Sequence, residues 1–176
     1  DTGSEDNTVD LLRAAGAIVH EQEITPWRFD TARNTALSLV PEDVDLCFSL
    51  DLDEVVSPGW RAEVDAKWRP GVTRMGVDYS WGIAADGQPA APFRHYRIHA
   101  REGYYWRNIV HEGLHPMGEE RLVETDVHII HLQDLSKPRT QYLPLLERAT
   151  REQPQDYQLR YWLAREYINV RRYEDA

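Results

Sequence analysis

The sequence has almost no cysteine and no long hydrophobic run. Its one cysteine, Cys47, lies in an apolar segment. An internal disulfide framework is therefore excluded, and a small buried side chain in a reducing compartment is expected. No apolar run approaches the roughly 18 residues that a membrane-spanning helix needs. We expect a cytoplasmic protein without a transmembrane segment.

Positive charge is also scarce. The 20 lysines and arginines face 30 aspartates and glutamates, which leaves a net charge of -10. The deficit lies in residues 1–136, where 12 basic residues face 24 acidic ones, whereas residues 137–176 have eight basic and six acidic residues. Such a negative surface repels phosphate backbones and argues against general nucleic-acid binding. It suits carboxylates gathered around a divalent cation, although an acidic surface without a site would have the same charge.

What the sequence does contain is enough apolar and aromatic material for a folded core. Of its 176 residues 41% are hydrophobic, with six tryptophans, nine tyrosines and three phenylalanines. This composition is typical of globular proteins, and the length fits one ordinary domain or one domain with a small appendage. The expected elements are a helix capped by Ser4 or Asp6, a strand at 17–20, a helix at 29–40, a strand at 44–50, a helix beginning near Pro58, and strands at 72–81, 93–99, 104–110 and 122–132, with a turn at Asp86-Gly87. Alternating strands and helices predict an α/β fold with a mostly parallel sheet and antiparallel strands at its edge.

Residues 137–170 predict two further helices, separated by Pro154-Gln155-Asp156. Each of these helices has one apolar stripe, and the two stripes are Leu145, Leu146 and Ala149 in the first helix and Leu159, Trp162, Leu163 and Tyr167 in the second. The segment resembles the tetratricopeptide repeat at Ala149, Pro154, Ala164, Tyr167, Tyr173 and Ala176. The resemblance implies that further repeats follow, because such helix pairs cannot bury their faces alone. The alternative is an ordinary helical hairpin that caps the sheet.

Two carboxylates follow the strongest predicted strand. Asp51 and Asp53 come directly after residues 44–50, and Asp1 is expected at the end of a strand that precedes the sequence. Ligands of an open parallel sheet bind beyond the carboxyl ends of its strands. The pattern therefore predicts three carboxylates on one rim, suited to holding Mg²⁺ or Mn²⁺ against substrate phosphates. A solvated Asp-x-Asp turn is the alternative.

Three segments resemble one enzyme family. Residues 1–8 (DTGSEDNT), 29–37 (FDTARNTAL) and 50–54 (LDLDE) resemble elements of the family-2 glycosyltransferases of the GT-A fold, in the same order and spacing. Leu52 stands in place of the usual alanine of the metal motif. The resemblance implies a Rossmann-like α/β domain over about residues 1–132. It also implies a nucleotide-diphosphate sugar donor, for which a UDP-sugar is expected, and a divalent metal, Mn²⁺ or Mg²⁺. It also implies transfer to an acceptor hydroxyl with inversion.

The resemblance implies roles for individual residues. Asp1 would accept hydrogen bonds from the nucleotide base or ribose, and Arg33 would bind the nucleotide or its diphosphate through its planar guanidinium. Asp51 would contact the ribose or reach the metal through water, and Asp53 would ligate the metal directly. The metal would act as a Lewis acid on the leaving diphosphate. The residues alone also allow Arg33 to form a surface ion pair with Asp30.

Val110-His111-Glu112 resembles an element of this glycosyltransferase subgroup that stands where relatives place an acidic catalytic residue. The resemblance implies that Glu112 is the general base, which takes the proton of the acceptor hydroxyl as its oxygen attacks the anomeric carbon. The alternative is a carboxylate paired with Arg107 or Arg101.

Residues 111–115 (HEGLH) also match the zinc-protease pattern H-E-x-x-H. Such a site needs a helix, so that the two histidines share one face. The preceding residues 104–110 favour a strand, and the internal glycine and the following Pro116 both disfavour a helix. A zinc hydrolase using His111, Glu112 and His115 is therefore kept only as an alternative function.

The segment from Thr125 to His131 alternates, so one of its two histidines faces the core side of a strand and the other does not. The pattern resembles the late strand on which GT-A enzymes place a metal-binding histidine. The resemblance implies that His131 is a metal ligand beside Asp53. A histidine held by hydrogen bonds without a metal is the alternative.

Together these resemblances predict a GT-A domain at residues 1–135, lacking its first strand, and the start of a tetratricopeptide region at residues 136–176, in an excerpt of a longer protein. The acceptor would be a protein, peptide, saccharide or lipid-linked hydroxyl, and the repeats would offer a surface to a protein partner. Besides the zinc hydrolase, a non-catalytic scaffold stays open, in which a decayed transferase domain presents the helical array.

Overall fold

The computed structural model describes residues 1–134 and 142–176 of the protein. Contacts within the chain divide the described residues into two compact units, a first unit of residues 1–39, 106–114 and 142–176 and a second unit of residues 40–105 and 115–134. The domain boundary predicted between residues 135 and 136 lies outside the described residues.

The described residues form an α/β fold, as predicted. The elements in chain order are α1 (Thr8–Ala14), α2 (Phe29–Ser38), β1 (Leu46–Phe48), β2 (Glu54–Val56), α3 (Trp60–Lys67), β3 (Arg74–Trp81), β4 (Phe93–Ala100), β5 (Tyr104–Arg107), β6 (Gly113–Pro116), β7 (Leu122–His131), α4 (Tyr142–Glu152), α5 (Tyr157–Asn169) and a short 3₁₀ helix at Tyr173–Asp175. Five strands form one sheet in the order β1-β4-β3-β7-β2, and β5 pairs with β6. Of the helices in the described ranges, none is long and apolar enough to cross a membrane.

The expectation of a mostly parallel sheet is wrong for this part of the chain. Only β3 and β7 run parallel, whereas β1 with β4, β3 with β4, and β2 with β7 are antiparallel. The predicted Asp86-Gly87 turn reverses the chain between β3 and β4, and Gly87 supplies the positive φ of 80° there. Direction was mispredicted because it depends on which strands become neighbours, and local periodicity identifies strands without naming their neighbours.

The register brings three strand ends to one edge of this sheet. Trp81, the last residue of β3, lies opposite His131, the last residue of β7. Glu54, the first residue of β2, also lies opposite His131. Residues at the carboxyl ends of β3 and β7 therefore lie beside the segment that precedes β2, which contains Asp51 and Asp53.

The core of the second unit lies between α3 and the sheet. Val64 of α3 packs with buried side chains of β3, β4 and β7, which are Met75, Val77, Tyr79, Ile98, Val127 and Ile129. The alternation of these residues along each strand follows the pleat, which turns every second side chain to the same face. In β1, Cys47 is half-buried, and its burial raises the pKa of the thiol.

The first unit has its own core, built by helices and one loop. Ile109 and Val110 are fully buried together with Leu146 and Ala149 of α4 and Leu159 of α5. The predicted helix pair around residues 154–156 is confirmed, and Asp156 caps α5 by accepting hydrogen bonds from two backbone N–H groups.

Three predicted strands differ from the structure. The strand predicted at 44–50 is limited to Leu46–Phe48. Residues 17–20 have no regular secondary structure. The strand predicted at 104–110 ends at Arg107, because Asn108 has a positive φ of 85° that extended backbone does not allow.

Candidate functional site

Asp53 and His131, both predicted as metal ligands, lie next to each other in the second unit. The Nε2 atom of His131 is 3.0 Å from Oδ2 of Asp53. The backbone N–H of Leu132 donates to the carbonyl of Asp53 at 2.7 Å, which ties the end of β7 to the segment before β2. The Asp53 side chain is 42% exposed and that of His131 is 14% exposed. A half-exposed carboxylate thus stands beside an imidazole that is mostly buried.

The donor atoms of this pair fit a divalent cation that is shared with a substrate. Nδ1 of His131 is buried without a hydrogen-bond partner among the described residues, so the ring is held through Nε2. In the same residues, no group of three or more histidine, cysteine, aspartate or glutamate side chains is arranged to hold a metal. Mg²⁺ and Mn²⁺ are commonly held by one or two protein carboxylates together with water and substrate phosphates, and Mn²⁺ also accepts imidazole. Asp53 and His131 would be the two protein ligands of such a site.

A buried ion pair anchors the segment that carries the two aspartates. The side chain of Glu54 is 0% exposed, and Arg97 donates to its two oxygens at 2.9 and 2.7 Å. Tyr79 donates to Oε1 of Glu54 at 2.8 Å, and the backbone N–H of Asp51 donates to Oε2 at 2.8 Å. Glu54 therefore connects strands β2, β3 and β4 to the backbone at Asp51.

The Glu54–Arg97 ion pair has two neighbours, Tyr79 and Asp51. Burial, reinforced by the hydrogen bond to Glu54, raises the pKa of the Tyr79 hydroxyl well above its usual range. Arg97 also lies 3.3 Å from Oδ2 of Asp51, whose side chain remains 40% exposed. Asp51 and Asp53 are thus accessible carboxylates on a segment that Glu54 and Arg97 hold in place.

Arg97, and Glu54 in this anchoring role, were missed by sequence reasoning. The available signal was an arginine between Tyr96 and Ile98 in the middle of a strand, where a charged side chain on the inner face needs a buried partner. The sequence does not name that partner, because Glu54 is 43 residues away.

In the first unit, the predicted base Glu112 pairs with the predicted donor ligand Arg33. Nε of Arg33 donates to Oε1 of Glu112 at 2.9 Å, and the two side chains are 22% and 13% exposed. The guanidinium of Arg33 lies 4.9 Å from the ring centre of Trp106. The side chain of Asn34, the next residue of α2, accepts from the N–H of Trp106 and donates to its carbonyl, both at 2.8 Å. Neighbouring residues of α2 therefore hold Trp106 and orient Glu112.

The ion-pair alternatives drawn from the sequence are not the pairs that form. Asp30 pairs with Arg28, at 3.0 and 2.8 Å, rather than with Arg33. Arg107 donates to Gln153 at 2.8 Å, so it does not take the place of Arg33 beside Glu112. The general idea that Glu112 has an arginine partner is correct, but the arginine is 79 residues away in sequence.

The segment that carries Glu112 is strained and held by the helices of the first unit. Asn108 and His111 have positive φ values of 85° and 52°, which non-glycine residues adopt at a cost. Between them, Ile109 and Val110 are fully buried in the helical core. The carbonyl of Ile109 accepts a hydrogen bond of 2.9 Å from the N–H of Phe29, the first residue of α2. Packing against the helices therefore maintains this backbone conformation.

The two histidines of the H-E-x-x-H pattern lie in different surroundings. The ring of His111 stacks on Trp162 and Tyr142, with centroid distances of 4.5 and 5.8 Å. His115 is in strand β6 and its ring lies 5.8 Å from that of Tyr105. A zinc site of this pattern needs both histidines on one helix face, and residues 111–115 form no helix. The geometry for a zinc hydrolase is absent from these residues.

Asp1, predicted to bind the donor, organises the loop that follows it. Its carboxylate accepts from the backbone N–H groups of Gly3 at 2.8 Å and Ser4 at 2.9 Å, and from the Ser4 hydroxyl. Its backbone carbonyl accepts from the N–H of Gln22 at 2.9 Å. Asp1 belongs to the first unit with Arg33 and Glu112, whereas Asp51, Asp53 and His131 belong to the second.

The alternation predicted for the late strand is confirmed. His128 and His131 lie on opposite faces of β7, because they are three residues apart. Nε2 of His128 is 2.8 Å from the hydroxyl of the buried Ser80, whereas His131 faces Asp53. His128 is thus a hydrogen-bonded structural histidine.

Comparisons with known proteins assign no family to the chain. No protein-family model matches the sequence, and no curated protein matches it. The roles considered for these residues rest on the contacts described above and on the resemblance of the motifs.

Proposed function

We propose that the protein is an inverting, metal-dependent glycosyltransferase of the family-2, GT-A type, which moves a sugar from a UDP-sugar or a related nucleotide-diphosphate donor to an acceptor hydroxyl. The observation that carries the proposal is the pairing of Asp53 with His131, 78 residues apart in sequence, beside the half-exposed Asp51. The α/β class of the described residues supports it.

In this proposal Asp53 and His131 hold a divalent cation, Mn²⁺ or Mg²⁺. When bound, the cation supplies Lewis-acid stabilisation of the departing diphosphate. Asp51 would contact the ribose of the donor or reach the cation through water. Glu54 and Arg97 keep the Asp51–Asp53 segment in one conformation, so that little ordering entropy is lost when the donor binds.

Glu112 is the general base of the proposed reaction. Its carboxylate accepts the proton of the acceptor hydroxyl while the acceptor oxygen forms its bond to the anomeric carbon and the bond to the diphosphate breaks. The ion pair with Arg33 orients the carboxylate, and Arg33 also provides positive charge for the donor phosphates. Asp1 is assigned to the nucleotide base or ribose.

The proposal also covers helices α4 and α5 and the location of the protein. Helices α4 and α5 are the first pair of a tetratricopeptide-type array in this proposal, and the array would bind a protein partner. The lone Cys47 supports a reducing, cytoplasmic location.

Binding of UDP in the presence of MnCl₂, measured by calorimetry, tests the proposed function. We expect UDP to bind only when Mn²⁺ is present and Asp53→Asn to weaken binding by about tenfold or more. Asp65→Asn is the matched control, because Asp65 is an exposed residue of α3 whose carboxylate pairs with the exposed Arg61 at 3.0 Å.

The outcomes of the UDP experiment separate the candidate functions. Unchanged binding in the Asp65→Asn variant and weak binding in the Asp53→Asn variant support the transferase. Absence of UDP binding at any Mn²⁺ concentration would overturn it and favour the non-catalytic scaffold.

A further inference from the structure

An exposed group of aromatic rings adjoins the Asp53–His131 pair. Trp81 is 61% exposed and Phe93 is 40% exposed, although both are large apolar side chains. Trp81 ends β3, and Phe93 begins β4 opposite Tyr79. Because Tyr79 and Trp81 are two residues apart in one strand, their side chains lie on the same face of the sheet.

The indole of Trp81 is held in one orientation by other rings. It stacks with Phe93 at a centroid distance of 6.4 Å and an interplanar angle of 22°, and it meets the His131 ring edge-on at 4.9 Å. Beneath it, the buried ring of Tyr79 lies 5.3 Å from both Trp81 and Phe93. The exposed surface is therefore a braced aromatic platform and not a loose side chain on a loop.

The chemistry next to this platform identifies the kind of molecule that would cover it. A purely apolar partner on Trp81 would also bury the half-exposed carboxylate of Asp53 without hydrogen-bond donors, which is costly. A pyranose ring has one face of C–H groups, which packs on an aromatic ring, and a rim of hydroxyl groups, which donate to carboxylates. It would satisfy the indole of Trp81 and the polar groups at Asp53 together.

We propose that Trp81, supported by Phe93, is a stacking platform for the pyranose ring of a carbohydrate substrate. This inference deepens the proposed function and rests on it in one respect, namely that the sugar on Trp81 is part of the reaction at Asp53. The ring belongs either to the sugar of the nucleotide donor or to a terminal sugar of the acceptor. Trp81 is then the residue that selects a carbohydrate by shape beside the cation site.

Indole N–H signals in the NMR spectrum of the full chain provide the test. The probes are methyl pyranosides of the gluco, galacto, manno and N-acetylglucosamino series, and the corresponding UDP-sugars with Mg²⁺, which is diamagnetic and does not broaden the indole signal. The Trp81 signal is identified by its loss in Trp81→Phe. A ligand of about a dozen heavy atoms binds with a dissociation constant on the order of 1 to 10 mM, so the glycosides are titrated to tens of millimolar.

We expect at least one probe to shift the Trp81 signal, and Trp81→Ala to weaken its binding by about tenfold. Trp81→Phe keeps a ring and should retain part of the affinity. Tyr161→Ala is the matched control, because Tyr161 is 60% exposed and lies on α5. Weaker binding of a UDP-sugar with unchanged binding of UDP assigns the ring to the donor, whereas weaker binding of a glycoside alone assigns it to the acceptor.

Other outcomes overturn the inference, and they are distinguishable from failure of the proposed function. If UDP binds with Mn²⁺ but no sugar probe moves the Trp81 signal, the platform is disproved and the transferase proposal stands. If glycosides bind at Trp81 but UDP does not bind, the platform stands and the protein is a carbohydrate-binding protein of another class. If sedimentation shows a dimer that Trp81→Ala dissociates, the rings form a contact between copies and the inference is wrong.

Discussion

One short segment carries a buried carboxylate, which supports the fold, and two exposed carboxylates. They are Glu54, Asp51 and Asp53. Glu54 is fully buried and fully engaged with Arg97 and Tyr79. A desolvated carboxylate persists only when it is paired, so Glu54 serves the fold. The aspartates on either side of Leu52 keep about two fifths of their surface in solvent and can meet a ligand.

Replacing Arg97 with methionine tests the structural role of Glu54. The variant leaves a buried carboxylate without its ion-pair partner, and we expect the free energy of unfolding to fall by about 3–5 kcal/mol. Urea denaturation measures the difference. The matched control is Arg61→Met, because Arg61 is 75% exposed in its pair with Asp65 and such surface pairs contribute about 0–1 kcal/mol. Equal losses in both variants would disprove an anchoring role for the Glu54–Arg97 pair.

Glu112→Gln tests the proposed base. The amide keeps the size of the side chain but accepts no proton, so we expect the rate of UDP release from a UDP-sugar and acceptor to fall by about 10²- to 10⁴-fold. Calorimetry should show donor binding within about twofold of the unchanged protein, since the donor is bound through other residues. Glu119→Gln, at an exposed position, is the control. A variant with normal turnover would remove Glu112 from the mechanism.

At the scale of the elements, helices α4 and α5 support the segment that carries Glu112. Its apolar face covers Ile109 and Val110, and Trp162 of α5 stacks on His111. The strained backbone before Glu112 therefore depends on this packing, since strained conformations persist only where the surroundings determine them.

Leu146→Ala tests this dependence. Leu146 is 0% exposed, and removal of a buried leucine side chain costs about 2–5 kcal/mol. We expect that loss on denaturation, together with faster hydrogen exchange of the Phe29 amide, which donates to Ile109. Leu11→Ala in α1 is the control, because Leu11 is 60% exposed and its truncation should cost no more than about 0.5 kcal/mol. Unchanged exchange of the Phe29 amide in Leu146→Ala would show that α4 does not support the Glu112 segment.

At the scale of the whole molecule, each compact unit is built from segments that are separated in the chain. The first unit gathers residues 1–39, 106–114 and 142–176, so α4 and α5 share a core with segments from the amino-terminal half. The change of sequence pattern near residue 137, outside the described residues, separates β7 from α4 and α5. It does not indicate which segments pack together, because apolar stripes show that a face is buried without showing what buries it.

The candidate site was only partly predictable, because the sequence identifies residues without showing which of them come together. Asp53 and His131 were each singled out from the resemblance of their motifs, and the structure places them 3.0 Å apart. The pairing of Arg33 with Glu112 was not predicted, although both residues were named. Arg97 was not named at all, and its partner Glu54 could not be identified from the sequence because it lies 43 residues away.

The sequence by itself determined the positions of most helices and strands, the Asp86-Gly87 turn, the opposite faces of His128 and His131, and the acidic character of residues 1–136. These follow from periodicity, caps and composition, which act between residues close in the chain. Only the tertiary structure decided the order and direction of the strands and the partners of Glu54, Glu112 and His111. Those features depend on contacts between residues that are distant in the chain, such as 43 positions for Glu54 and Arg97 and 79 positions for Arg33 and Glu112. At such distances packing and charge pairing select one arrangement among many that the local pattern allows.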